Sequence, residues 1–361
     1  MKRLLPILLL SLLGCTQSTV TPNTTSRLII GTATNDEYRS GIFIYDFDHS
    51  TLTATLKSET QIIDPSFMRF SSDGERLYSV SERGAQFAEL VEFSYDAASA
   101  QLDSLSAARC LGAFPCHLYL EDDWAVTANY GGGSLSLFDI NDGVKLSRRI
   151  EFNSRDTSRV SHLHCFMPSP DSNYFFATDL GHDSIYRFER EAGSQRIKEL
   201  SGAVALKGGS GPRHIVFNPS GDKLYLINEL SGSVVGYKHN DGELREFTVA
   251  QSDSVGGGGS ADIHFSPDGE FLYASNRLKS DGISIFSVAA DGAIEKIGYR
   301  ETSSHPRNFT LSADGTLLLV ACRDGNVVEL FRRDARSGLL SDVVATIEVE
   351  SPLFVNWIQK N

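Results

Sequence analysis

Residues 214–249 read HIVFNPSGDKLYLINELSGSVVGYKHNDGELREFTV: an apolar run, a Pro-Ser-Gly turn, a second apolar run ending in Asn, a further turn, and a third run. The runs alternate or saturate with apolar residues as strands do, and the turn residues punctuate them. The same unit returns at once as DIHFSPDGEFLYASNRLKSDGISIFSVAADGAIEKIG from Asp262, and as NFTLSADGTLLLVACRDGNVVELFRRDARSGLLSDV from Asn308. Worn copies precede it: MRFSSDGERLYSVSERG from Met68, HLYLEDDWAVTANYGGGSLSLF from His117 and HCFMPSPDSNYFFATDLGHDSIYRF from His164. The turn residues Asp73, Asp122, Asp171, Ser220, Asp268 and Asp314 recur every 46 to 49 residues, and the 335 residues from Arg27 to the end hold seven such units. A four-strand unit at this period is a propeller blade, because radial closure hides the sheet edges that each unit alone would expose. The expected fold is therefore all-β, a seven-bladed propeller forming one domain over residues 27–361. RLIIGTA and GIFIYDF precede the first marked turn, so the tail ATIEVESPLFVNWIQ is expected to pair with them and close the ring. Parallel β-helices have shorter coils, and Greek-key sandwiches lack the repeat.

The chain opens Met1-Lys2-Arg3, then an apolar run from Leu4 to Leu13, then Gly14-Cys15. This ten-residue run, interrupted by Pro6 and Ser11, spans about half of a hydrocarbon core that needs roughly 20, so the segment reads as a secretory signal (residues 1–14) rather than a permanent helix. Leu12-Leu13-Gly14-Cys15 resembles the bacterial lipobox, which implies a lipid on Cys15. Residues 15–26, rich in Thr, Ser, Asn and Pro, form the expected tether. Thr16 rather than Asp at the next position points to the outer membrane in diderm bacteria. Membrane contact would then be through the lipid alone, in the periplasm or at the outer membrane.

The formal charge of -13 argues against nucleic acid, whose backbone it repels. Cys110, Cys116, Cys165 and Cys322 match neither a disulfide framework nor a zinc spacing and read as buried thiols. There is no G-x-S-x-G, H-E-x-x-H or P-loop sequence. YGGGS at Tyr130 and GGGGS at Gly256 do not run into a helix, so they are turns rather than phosphate cradles. His162 and His164, two apart on a strand, lack an evident third ligand, and no metal or other cofactor is expected.

Aligned on the turns, one face of the ring collects two columns. Strand a begins with Cys116-His117, His164, Arg213-His214, Ala261-Asp262 and Arg307-Asn308; strand b ends with Glu82, Tyr130, Leu180, Glu229, Arg277 and Arg323. These positions change residue type while the turns stay alike, the mark of a ligand site rather than of packing. Such a basic funnel inside an acidic protein suits a small carboxylate or phosphate.

PCHLYL, ANYGGGSLSLF, HLHCFMPSPD, GPRHIVFNPSGDKLYLINEL, ADIHFSPDGEFLYASNR and HPRNF together resemble the lactonase family of seven-bladed propellers, which includes the propeller-type 6-phosphogluconolactonase and the fungal carboxy-muconate lactonizing enzyme. The resemblance spans residue 27 to the end. It implies metal-independent hydrolysis of a lactone ester, with His164, Arg213, Glu229 and Arg277 as the catalytic set. His164 or Glu229 would activate water, and Arg213 and Arg277 would stabilise the oxyanion. His117, His162, His214, Asn228, Asn276 and Arg307 are the expected substrate-binding residues, Arg307 and His214 holding a distal phosphate or carboxylate. 6-Phosphogluconolactone is a cytoplasmic metabolite, whereas the signal directs this chain outward, so an unphosphorylated aldonolactone is an open substrate. A non-catalytic binding propeller and a muconate-type cycloisomerase are the alternatives. A monomer is expected.

Overall fold

The ring is built from strands too apolar to stand alone. LYLIN, LYASN and LLVAC, each the second strand of its unit, have both faces buried, so every blade must be covered by a neighbour on each side. A computed structural model describes residues 25–33, 41–153, 157–191 and 196–358. The expected signal, lipidated Cys15 and most of the tether lie outside these residues. Thr25 and Ser26 already belong to the first strand, two residues earlier than the sequence suggests.

Among the described residues there are 29 strands in seven antiparallel sheets and no helix. Blade 1 takes its innermost strand a from the tail: Pro352–Ile358 pairs with Thr25–Thr32, followed outward by Gly41–Asp48 and Thr53–Gln61. Blades 2 to 7 run from strand a to d in chain order, beginning at Met68, Pro115, Leu163, Pro212, Ser260 and Pro306. Alternate residues on one strand serve two cores. Ile29 packs toward blade 2, while Leu28 and Ile30 pack toward blade 7.

The a–b turns explain the repeat. In SSDG, SPDG and SADG the serine hydroxyl donates to the aspartate and accepts an N–H from the far side of the turn, as in Ser312 with Asp314 and Leu317. Gly74, Gly269 and Gly315 have φ of 71°, 73° and 67°, which a side chain would oppose.

Strand a carries the feature that builds the site. In six blades the a–b register slips by one residue at the start of strand a, leaving a bulge at Leu353, Cys116, His164, Arg213, Ala261-Asp262 and Arg307. Blade 2 starts its strand a later, at Met68. A bulge re-aims its side chain and interrupts the in–out alternation.

Candidate active site

Just before strand a, five blades place a residue followed by proline: Asp64-Pro65, Phe114-Pro115, Gly211-Pro212, His305-Pro306 and Ser351-Pro352. All five leading residues have positive φ, at 49°, 53°, 65°, 63° and 45°. Their carbonyls accept the N–H of the residue just past strand b, as in Glu82 to Asp64, Glu229 to Gly211 and Arg323 to His305. The two columns are thereby stitched together blade by blade at one mouth of the channel. Repeated strain in one ring of loops marks a place where geometry outranks local preference.

Four guanidinia collect there. Arg213 Nε lies 2.8 Å and Arg277 Nη2 3.2 Å from the same Glu229 oxygen. The Arg213 contact is a charge pair with poor N–H alignment, since its Nε meets no acceptor in line. Arg213 Nη1 donates instead across to the Ala261 carbonyl at 2.6 Å. Arg277 Nη1 lies 3.2 Å from His305 Nε2, and His305 Nδ1 lies 3.1 Å from Asp324, which also receives Arg323 Nε at 2.7 Å. On the facing side Arg307 Nη2 donates to Glu82 at 2.9 Å. A cavity of about 480 Å³ opens at the Arg307 and Arg323 side of this cluster, lined also by Asp64, Glu82 and Asp324, with Phe114 and Leu353 as its apolar walls. Burial, and then the neighbouring Arg213, push Arg277 down to about 9, with Arg307 and Arg323 acting in the same direction. Crowded cations of this kind are relieved by an anion.

Beneath the mouth the channel is plugged. Phe67 of blade 2 meets His214 of blade 5 edge-on at 6.4 Å between ring centres, and His117 and Phe354 pack against Phe67 at 4.4 and 5.3 Å. The mouth cavity therefore has a closed floor. Below the plug, Asp262 accepts from Asn308 and lies 2.8 Å from His214 and 3.0 Å from His264. Burial would raise Asp262, but His264 and His214 outweigh it and hold it well below the usual carboxylate range.

The expected site residues thus separate. Arg213, Glu229 and Arg277 form one cluster, and Arg307 faces the cavity. His162 sits at the rim, stacked on Tyr130 at 4.3 Å with its Nδ1 3.0 Å from the Tyr130 carbonyl. His214 and His117 do not reach the mouth: the bulge at Arg213 and at Cys116 turns the following histidine one tier down into the plug. His214 is tied to Asp262 at 2.8 Å and is not among the residues that line the mouth cavity. His164 is buried with its Nδ1 3.7 Å from the Cys116 sulfur. Burial, then Arg213 and His214, hold His164 well below its ordinary value, which makes it a weak proton acceptor. Asn276 is spent on packing: its Oδ1 accepts from Ser252 and Ser260, and its Nδ2 donates to Ser284. Asn228 likewise faces the blade interior and donates to Ser233. Neither is among the residues that line the mouth cavity, because the last residue of strand b points into the sheet. Asp64 and His305 were missed. The signal was available, since Asp64-Pro65 and His305-Pro306 occupy the place of the Gly211-Pro212 pair. Among the described residues no group of three or more His, Cys, Asp or Glu side chains is placed to share a metal ion.

Comparison with known proteins agrees with this architecture. The family model described as Lactonase, 7-bladed beta-propeller matches residues 27–357. A Formosa agariphila protein named 6-phosphogluconolactonase is 36% identical over 331 residues, 87% of this chain and 94% of its own. A Bacillus subtilis protein of the same name is 28% identical over 88% of this chain and 95% of its own. Among solved structures, a candidate 6-phosphogluconolactonase from Bacteroides fragilis superposes with a TM-score of 0.88 at 37% identity, covering 94% of this chain and 99% of that one. The periplasmic gluconolactonase of Pseudomonas aeruginosa does so with 0.85 at 25% identity, covering 93% and 99%. With a family match over nearly the whole ring and relatives aligned along their full length, this chain belongs to the lactonase family of seven-bladed β-propellers.

Proposed function

We propose that this protein hydrolyses the δ-lactone of an aldonic acid in the mouth cavity. The observation that carries the reading is a mouth cavity lined by Arg307 and Arg323 with Asp64, Glu82 and Asp324, beside an Arg213–Glu229–Arg277 cluster near enough for Arg307 and Arg323 to act on Arg277, in a chain whose net charge is -13. Family membership supports the same chemistry. Ester hydrolysis needs a site for the oxyanion that forms when water adds to the carbonyl, and preorganised donors meet that need with no reorganisation at the moment of reaction. Arg307, nearest the carboxylates of the cavity wall, takes that role. Arg323, the more exposed guanidinium, is suited to a distal phosphate or hydroxyl group. Glu229 keeps Arg213 and Arg277 from repelling one another.

Hydrolysis of δ-gluconolactone and its 6-phosphate, corrected for spontaneous opening, tests the reading on protein lacking residues 1–15. Opening that falls at least tenfold in Glu229→Gln is expected. Rates no better than that variant's would turn the assignment toward a binding module.

The proposal extends to the anchor. Leu12-Leu13-Gly14-Cys15 supports lipid attachment at Cys15. Thr25 starts strand b of blade 1, and Ala33 just beyond its other end lines the mouth cavity, so the first described residue lies at the face opposite the mouth. A lipid-anchored protein would then open its site away from the membrane. Cys15→Ser is expected to abolish labelling by radioactive palmitate and release the protein from membranes; label retained after the substitution would refute the anchor.

A further inference from the structure

Asp64 is a carboxylate of the mouth cavity to which the resemblance assigns nothing. Its backbone is held at φ 49° by the turn into Pro65, and its carbonyl accepts the Glu82 N–H at 2.9 Å. That bond sets two carboxyl groups of one blade side by side on the cavity wall. Glu82 is committed, since Arg307 Nη2 donates to it at 2.9 Å. The charged groups around Asp64 are Glu82 and Arg83 of its own blade and Arg307, Arg323 and Asp324 of blade 7; blades 1 and 3 present the uncharged Ser351, Leu353 and Phe114.

We infer that Asp64 is the general base of lactone opening, with Glu82 and Arg307 as its positioning partners. The assignment rests on the lactone reading above and names the group that moves the proton. The Asp64 carboxylate removes a proton from the attacking water as its oxygen bonds to the lactone carbonyl carbon, and the carbonyl oxygen becomes an oxyanion beside Arg307. The oxyanion then re-forms the C=O bond, the ring C–O bond breaks, and the proton on Asp64 passes to the departing ring oxygen. One water is consumed and one hydroxy acid is formed, which loses its carboxyl proton to solvent and leaves Asp64 ionised again.

Two physical facts favour Asp64 over the other candidates. His164 lies buried beneath the mouth, outside the residues lining the cavity, and Glu229 sits between two guanidinia. Burial, and then the Glu82 charge, push Asp64 up to about 6, which makes it a stronger base than an ordinary aspartate while leaving it ionised at neutral pH.

The test is the pH–rate profile of the full chain in detergent on δ-gluconolactone and its 6-phosphate, for wild type, Asp64→Asn and Glu82→Gln. Asparagine tolerates positive φ, so the substitution keeps the turn; matched thermal melts verify it. The base must be ionised, so wild-type kcat/KM should fall as pH drops through about 6. Asp64→Asn is expected to lower kcat by about a hundredfold or more with KM little changed, and to remove that limb. Glu82→Gln removes a neighbouring negative charge and should move the limb to lower pH. Wild type that opens lactones while folded Asp64→Asn retains its rate and its acid limb would overturn the assignment and leave the lactone reading standing. Wild type that opens neither substrate would bring down both.

Discussion

Replacing Arg307 with alanine is expected to lower kcat/KM for lactone opening about a hundred- to a thousandfold, the loss seen when one preorganised oxyanion donor is removed. Arg307 is carried on a bulge, reaches the cavity beside Asp64 and Glu82, and is 17% exposed at its side chain, so its charge acts in a largely desolvated setting. An interaction made mainly in the transition state should reduce kcat more than it raises KM. The effect should be equal for δ-gluconolactone and its 6-phosphate, because the oxyanion is common to both. Arg307→Lys should recover part of the rate, since it restores charge without the planar fork. A loss confined to the phosphorylated substrate would instead make Arg307 the phosphate grip.

Removing residues 352–361 is expected to abolish the folded ring. The strand Pro352–Ile358 is the innermost strand of blade 1, and its backbone pairs with Thr25–Thr32. Leu353, Phe354, Val355 and Ile358 are buried, and the Val355 N–H donates to Asn308 at 2.8 Å. At about 1.5–3 kcal/mol for each large apolar side chain, their loss approaches the whole stability of an ordinary domain, about 5–15 kcal/mol. It would also bare the edge of the first strand and the cores shared with blades 2 and 7. Circular dichroism and urea melts of the truncated chain should show no cooperative transition; a melt at the wild-type midpoint would mean that closure contributes little.

Much of this was legible from residue order alone. The Ser-x-Asp-Gly turns are local hydrogen-bonding units, so they persist at each copy even where the strands are worn. The tail's role followed from counting, since an unpaired first half-blade requires a last strand. Arg213, Glu229 and Arg277 were legible through GPRH, NEL and SNR, which keep their places against the turns. The placing of His214 and His117 has a definite physical cause. A single extra residue in strand a moves His214 and His117 off the mouth, and a one-residue slip leaves no trace in composition or periodicity. Asn228 and Asn276 adjoin Glu229 and Arg277 in the chain, yet consecutive residues at a strand's end part ways.

Residue order carries the number of blades, their strand order, the closure by the tail and the face on which variable polar residues gather, because each depends on contacts between residues near in the chain or repeated at a fixed interval. Which of those residues share a cavity depends on the closed ring. Asp64 and Glu82 meet Arg307 and Arg323 across more than 220 positions of chain, and the plug joins blades 1, 2, 3 and 5 across the channel axis. Such encounters follow from ring closure and from where six bulges fall, and neither is written in any one repeat.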